Sequence, residues 1–199
     1  MTVPTNTGST QSSCALNQSM YDLAEKLFPL PRSLTGNGVR QTLAEIQTLL
    51  PQMNIIEVPS GTKAFDWEVP AEWNIRDAYI MDEAGNKIID FQKTNLHVMA
   101  YSEPVDQNVT LADLEGHLYS LPDQPDAIPF VMSYYKRQWG FCIAHNQRLR
   151  LRSGQFKVRI DSTLEPGSMT YGELLLPGKE KKEILLSTYL CHPSMANDN

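Results

Sequence analysis

A histidine and a carboxylate stand near the end of the sequence in a pattern that could bind a metal ion. His192 comes just after the apolar run EILLSTYL (residues 183–190), and Asp198 follows six positions later. The run predicts a strand covered on both faces, and the functional crevice of an open α/β sheet lies beyond the C-terminal ends of its strands. Zinc accepts imidazole nitrogen and carboxylate oxygen. On spacing alone, a shared metal and a capped loop with a structural histidine both remain open.

Two other arrangements suggest chemistry, and each has a simpler interpretation. Cys191 adjoins His192 as a Cys–His nucleophile pair could, but adjacent strand residues point to opposite faces. We therefore expect Cys191 to be a small buried apolar residue. The turn TGNG at residues 35–38 lacks the Lys-Ser/Thr pair and the preceding strand of a phosphate-binding loop, so we interpret it as a turn between helices.

The other three histidines have structural interpretations. His97 and His145 lie in or beside predicted strands, and His117 lies on a predicted short helix. We expect each to pack or to make surface hydrogen bonds rather than to bind a metal.

Two helices and a strand open the predicted ordered part. Apolar residues recur at spacings of three and four within 19–28 and 39–50, which predicts helices there, and NIIEV at 54–58 predicts a strand. Residues 1–18 are polar and rich in Ser and Thr, so we expect a disordered tail.

Residues 59–146 have a different texture, because they hold all three tryptophans and most strand-like segments. We predict a small inserted β-rich domain, whose aromatics mainly fill its core while one or two could form a wall over a substrate. Its predicted elements are strands at 74–81, 87–91, 96–101, 128–135 and 139–145, and a helix at 110–118 capped by Thr110.

Long strands are predicted after residue 147. Residues 156–160 and 171–176 are expected to pair across the turn at 165–168, ahead of the apolar strand at 183–190. Arg148, Arg150 and Arg152 alternate, which predicts a solvated strand face. The overall pattern indicates an α/β fold.

Composition excludes several classes of protein. A net charge of −6 and a pI near 5.2 argue against a nucleic-acid partner. No apolar run approaches the ~20 residues that cross a bilayer, and the N-terminus has no signal-peptide pattern, so we expect a cytoplasmic protein without a membrane partner. The spacing of the three cysteines suggests no disulfide framework.

Four stretches are similar to a known family. They resemble the N-terminal portion of bacterial aminopeptidase-like proteins found with polysaccharide-biosynthesis genes, within the two-zinc aminopeptidase superfamily. The resemblance extends from about residue 20 to the end of the chain. The stretches are RSLTGNGVRQTL, EVPSGTKAFDWEVPAEWNIRDAYI, SYYKRQWGFCIAHNQ and STYLCHPSMANDN.

The resemblance implies a mostly parallel sheet, incomplete here, built from residues 19–58 and 147–199 around the insertion at 59–146. It implies two zinc ions, with His192 a ligand of one and Asp198 the bridge between them, and a cis peptide after Asp198. Many relatives carry an aspartate that orients the imidazole where this chain has Ser194, so another group must fix the histidine tautomer.

The implied activity is zinc-dependent hydrolysis of an amide or peptide bond in a small substrate. In the family the glutamate base and the remaining ligands follow the first motif, beyond Asn199. We therefore expect a truncated front part of an enzyme that is inactive alone and that self-associates through an unfinished apolar face. A non-catalytic binding or scaffolding role, and an amidohydrolase acting on an acylated amino sugar, remain alternatives.

Overall fold

The computed structural model describes residues 8–195, with side chains for residues 16–194. They form a mixed α/β structure, which confirms the predicted class at that level. The helices described are α1 (Gly8–Leu27), α2 (Asn37–Leu49), α3 (Leu111–Glu115) and α4 (His145–Arg148), with short 3-10 helices at Asn95–His97 and Pro193–Met195. The strands are β1 (Asn54–Pro59), β2 (Lys63–Ala64), β3 (Trp67–Glu68), β4 (Glu72–Met81), β5 (Lys87–Asp90), β6 (Val105–Thr110), β7 (Leu118–Tyr119), β8 (Phe141–Cys142), β9 (Gln155–Glu165) and β10 (Ser168–Glu173).

The largest sheet is antiparallel and has the strand order β5-β4-β9-β6. β9 lies inside it, because Phe156, Val158 and Ile160 alternate toward the core and need a covered face. The predicted pairing of residues 156–160 with 171–176 is wrong. β9 pairs with β4 and β6, whereas β10 pairs with β1 from Asn54↔Glu173 to Pro59↔Ser168.

This sheet draws on both sides of the predicted boundary at residue 146. β4, β5 and β6 lie within the predicted insertion, and β9 lies after it. The division into an inserted domain at 59–146 and flanking parts at 19–58 and 147–199 stays a prediction. The mostly parallel sheet also stays a prediction. Among the strands described, only β7 and β8 pair in parallel.

The main core lies against the four-stranded sheet and includes residues without regular structure. Met99, Tyr101 and Ile143 are fully buried although they lie outside the strands. The predicted strands at 96–101 and 128–135 are therefore wrong, and of the predicted strand at 139–145 only β8 (Phe141–Cys142) forms. Single bridges join Val98 to Phe141 and Ala100 to Met132, and the positive φ of Tyr101 (69°) ends any extended run.

A smaller core lies between α2 and the β1–β10 ribbon. Val39, Leu43 and Met53 are buried there, and Leu174 and Leu190 pack against them. The predicted helix and strand in this region are confirmed as α2 and β1.

The turn before α2 joins the two cores through Thr35. The hydroxyls of Thr35 and Tyr101 are 2.7 Å apart, and the Thr35 hydroxyl also accepts a hydrogen bond from the Trp73 amide at 3.1 Å. Tyr101 stacks on Trp73, with ring centroids 5.8 Å apart, so this contact reaches the centre of the main core. The turn is also tight: a Cβ on Gly36 would lie 2.1 Å from the Trp73 carbonyl oxygen.

An ion-pair network supports the same connection. Arg40 of α2 donates two hydrogen bonds to Glu72 of β4, at 2.7 and 2.6 Å, and one to Glu57 of β1 at 2.9 Å. The hydrogen bonds from Arg40, with smaller contributions from the Ser168 amide and Asn74, lower the pKa of Glu72 to about 2. A bidentate pair with Glu72 therefore ties α2 to the large sheet, and the bond to Glu57 ties it to the β1–β10 ribbon.

Residues 183–189 of the apolar run are exposed, and the run has no regular structure, so the predicted buried strand does not form among the described residues. Ile184, Leu185 and Leu186 expose 90%, 90% and 89% of their surface. No described strand lies beside the run to supply backbone partners, and a strand requires them.

The first helix is longer than predicted. α1 begins at Gly8, inside the stretch 1–18 that the sequence assigns to a disordered tail. No proline between Gly8 and Ser19 interrupts the helical backbone. Residues 1–7 lie outside the described part. No helix in residues 8–195 has the length and apolar character needed to cross a bilayer.

Alanine at Gly36 should destabilise the protein by about 2–4 kcal/mol, because its φ of +97° is strained for other residues and the new Cβ would clash with Trp73. Gly85→Ala is the matched control: its φ is +85°, but nothing lies within 4 Å of the added Cβ. Urea unfolding of both variants measures the difference. Equal losses of stability would contradict the close packing inferred at Gly36.

Stability should fall with acid as Glu72 becomes protonated. Its folded pKa of about 2 lies below the ordinary 4.5, so its contribution is complete above pH 4.5 and disappears as the pH falls to 2. Glu72→Gln should therefore lose less stability than the parent between these pH values. Glu25→Gln, at an exposed position of α1, should keep the parental loss. Parallel urea titrations from pH 5 to pH 2 test this, and identical slopes for all three proteins would refute it.

Candidate functional site

His192 lies in an irregular loop and not directly after a strand as expected. The loop continues into the 3-10 helix Pro193–Met195, whose first residue is buried. Ser194 adopts a positive φ of 51°, which turns the chain sharply after the histidine. Asp198 lies outside the described residues, as does the predicted cis peptide that follows it.

A buried arginine holds the histidine loop against the end of α1. Arg32 is 3% exposed; its Nε donates to the His192 carbonyl oxygen at 2.8 Å, and its Nη1 donates to the Leu27 carbonyl oxygen at 2.5 Å. Burial lowers the pKa of Arg32, and Cys191 nearby acts in the opposite direction. An arginine keeps its charge in proteins, so these carbonyl contacts stabilise a buried cation.

Asn95 makes a second connection between the His192 loop and the residues that follow α1. The Asn95 amide nitrogen donates to the carbonyl oxygens of Pro29 and Leu30, at 3.3 and 3.2 Å, and its amide oxygen accepts a hydrogen bond from the Ser194 hydroxyl. Ser194 stands where many relatives of the resembled family have an aspartate. In this structure its hydroxyl anchors the loop through Asn95.

The Cys191 thiol lies beside the imidazole. Its Sγ is 3.8 Å from His192 Nδ1, a distance suited to a weak sulfur hydrogen bond. The sequence argument that Cys191 and His192 point apart was wrong, because it assumed a strand and the segment is irregular. Cys191 is therefore a group that can help to fix the tautomer of His192.

Aromatic rings enclose the imidazole on two sides. Phe130 and Tyr189 meet it edge-on, with ring centroids 5.1 and 6.3 Å from that of His192. Tyr134 belongs to the neighbouring core, where burial, with smaller contributions from Cys191 and Tyr135, raises its pKa to about 12. The His192 ring is thus half-buried between apolar edges, which restricts its rotation.

The described residues supply one of the two predicted metal ligands. An imidazole suits zinc, so His192 fits that role chemically. Residues 8–195 contain no group of three or more His, Cys, Asp or Glu side chains that could hold a metal ion. The pairing of His192 with Asp198 stays a prediction.

The other three histidines make the structural contacts predicted for them. His97 Nδ1 lies 2.8 Å from the Cys142 carbonyl oxygen, and burial lowers the pKa of His97. His117 stacks on Trp139 with centroids 3.5 Å apart, and His145 Nδ1 lies 3.0 Å from the Ser120 hydroxyl.

Sequence reasoning missed the residues that position His192. Arg32, Asn95 and Phe130 come from three segments far from it along the chain. Arg32 lies within one of the stretches that carry the family resemblance, but nothing in its local spacing indicates a partner 160 residues away.

Replacing Arg32 by lysine should loosen this loop, because an ammonium cannot reproduce the fork that reaches two carbonyl oxygens. With Cys14 changed to serine, the labelling rate of Cys191 by a thiol reagent reports local opening. Cys142 is fully buried, and burial raises its pKa to about 12, so it should label slowly. We expect Arg32→Lys to raise the Cys191 rate about fivefold or more, as expected for ~1 kcal/mol of local destabilisation.

Arg137→Lys is the matched control, because Arg137 is exposed and its ion-pair partner, at 3.6 Å, is Glu103 and not a residue of the His192 loop. It should leave the labelling rate of Cys191 unchanged. An unchanged rate in Arg32→Lys as well would show that Arg32 does not hold the loop.

The chain is similar in sequence to known proteins. Residues 72–163 match a family described as "Domain of unknown function (DUF2172)", which covers β4 through most of β9. A Clostridium acetobutylicum protein named "Putative polysaccharide biosynthesis protein with aminopeptidase-like domain" is 51% identical over 189 residues, which are 95% of this chain and 43% of that protein.

A solved structure gives the same result. A crystal structure described as a "putative peptidase" from C. acetobutylicum matches with a TM-score of 0.90 and 51% identity, over 95% of this chain and 44% of that one. The chain thus spans less than half the length of the relatives it matches. The resemblance drawn from the sequence is confirmed: the chain is a close homologue of a protein named for polysaccharide biosynthesis and for an aminopeptidase-like domain.

Proposed function

We propose that His192 and Asp198 contribute to a two-zinc site that hydrolyses amide or peptide bonds in a small substrate. The observation that carries this proposal is the 51% identity to a protein named for an aminopeptidase-like domain. The contacts of the His192 loop support it, because a metal ligand needs a fixed backbone and a restricted ring.

The described residues would act by holding the imidazole in place. Arg32 fixes the carbonyl group of His192, and Ser194 with Asn95 fixes the turn that follows. Cys191 Sγ faces Nδ1, so we assign metal binding to Nε2. Zinc, when bound, would supply an activated water and stabilise negative charge on the substrate carbonyl oxygen.

The exposed run at 183–190 supports the finer fold proposal. Residues this apolar and β-favouring, yet about 90% exposed at three consecutive positions, suit an interior strand of a larger sheet. We propose that the run forms such a strand, in a mostly parallel sheet, when the remainder of a full-length protein is present.

A second candidate reaction follows from the name of the relative. Polysaccharide biosynthesis would suit hydrolysis of the amide of an acylated amino sugar. The same metal chemistry would serve both reactions, and the two differ in the amine that leaves.

The test is an assay of the complete gene product with aminoacyl p-nitroanilides and, separately, with N-acetylglucosamine, measuring nitroaniline or acetate release. We expect activity that a chelator abolishes and zinc restores. His192→Ala and Asp198→Asn should each lower kcat/KM at least 100-fold, since each removes a direct metal ligand, and the 199-residue chain alone should be inactive because two ligands cannot hold two zinc ions.

His145→Ala is the control, because His145 contacts Ser120 away from the site and should retain parental activity. Activity that survives both the chelator and the loss of His192 would refute the proposal. Release of acetate without release of nitroaniline would favour the amino-sugar reaction.

A further inference from the structure

A cavity at the protein surface has features of a ligand site. It has a volume of about 460 Å³, within the range of small-molecule sites, and shares no lining residue with the histidine loop. It lies between the β4–β5 turn, the segment after α4 and the start of β9. Ile88, Leu151 and Phe156 give it an apolar floor that is continuous with the main core.

The charged groups around this cavity are not equivalent. Asp82 already accepts hydrogen bonds from the backbone and side chain of Asn86, at 2.8 and 3.1 Å, and Glu83 accepts one from the Gln155 amide at 2.8 Å. Arg150 and Arg152 line the same cavity, and within residues 8–195 neither makes a hydrogen bond or ion pair with its guanidinium group.

Arg150 and Arg152 differ from the neighbouring Arg148, whose guanidinium group has protein partners. Arg148, two positions earlier, pairs with Glu115 and donates to the Leu118 carbonyl oxygen at 2.8 Å. Arg150 and Arg152 therefore stand beside a partnered arginine on the same segment. The strand expected for residues 148–152 is absent from the described fold. Arg150 and Arg152 are both exposed, and both line this cavity.

We propose that this cavity binds a small molecule carrying a carboxylate or phosphate, which Arg150 and Arg152 grip while its less polar part rests on the apolar floor. A guanidinium group presents parallel donors that match both anions. The overall charge of −6 repels anions, so binding here depends on the local pair of arginines and not on the general field. The site is independent of the proposed hydrolase chemistry.

The experiment is a titration of the ¹⁵N-labelled full chain with glucose 6-phosphate, glucuronate and uncharged glucose, followed through the backbone amides of residues 153–156. We expect saturable shifts with both anions and none with glucose, and a weakening of at least tenfold in the double variant Arg150→Gln/Arg152→Gln. Binding by one anion alone identifies the preferred group. Arg137→Gln, an exposed arginine outside the cavity, should bind as the parent does.

Glu83→Gln provides a second test, in which anion binding is expected to strengthen and not to weaken. A glutamine oxygen can still accept from the Gln155 amide, while the negative charge beside the cavity disappears. Anion binding should tighten about threefold, because a like charge has been removed. The proposal would be overturned by the absence of saturable shifts with both anions, by unchanged affinity in the double arginine variant, or by shifts of equal size with glucose. Zinc-dependent activity has no bearing on either result.

Discussion

The buried guanidinium of Arg32 is the interaction on which the candidate site depends. A charge taken out of water is costly unless polar groups surround it, and Arg32 meets this need with backbone carbonyl oxygens from α1 and from His192. Those acceptors lie at opposite ends of the chain. Satisfying the arginine therefore brings the last described segment against the first helix, and the position of His192 follows from that requirement.

The stretch from Arg32 to Gly36 also joins the two sheets. Arg32 holds the histidine loop, and three residues later Thr35 reaches Tyr101 and the Trp73 amide in the main core. Gly36 then approaches the Trp73 carbonyl closely enough to exclude any side chain. Within five residues the chain thus serves the candidate site, the ribbon next to α2 and the large sheet, so movement of one is resisted by the others.

Features that depend on local chemistry could be predicted from the sequence. Thr110 caps α3 by accepting from the Asp113 amide at 3.2 Å, and the β4–β5 hairpin turns at Gly85 with a φ of +85°. Features that depend on distant partners could not. The placement of β9 between β4 and β6 and the connection made by Asn95 require contacts across 50 to 100 residues, which no local pattern encodes.

The exposed run at 183–190 bears on how readily the chain could aggregate. Segments that are apolar, β-favouring and uncharged are nuclei for intermolecular sheet growth. Here the charged stretch KEKKE at 179–183 precedes the apolar residues and Pro193 follows them. Charges and proline at the flanks act as gatekeepers, since repulsion and a missing amide hinder the addition of a further strand. The residues at the margins of the run therefore oppose the association of its exposed apolar side chains into intermolecular sheets, although they take no part in the core.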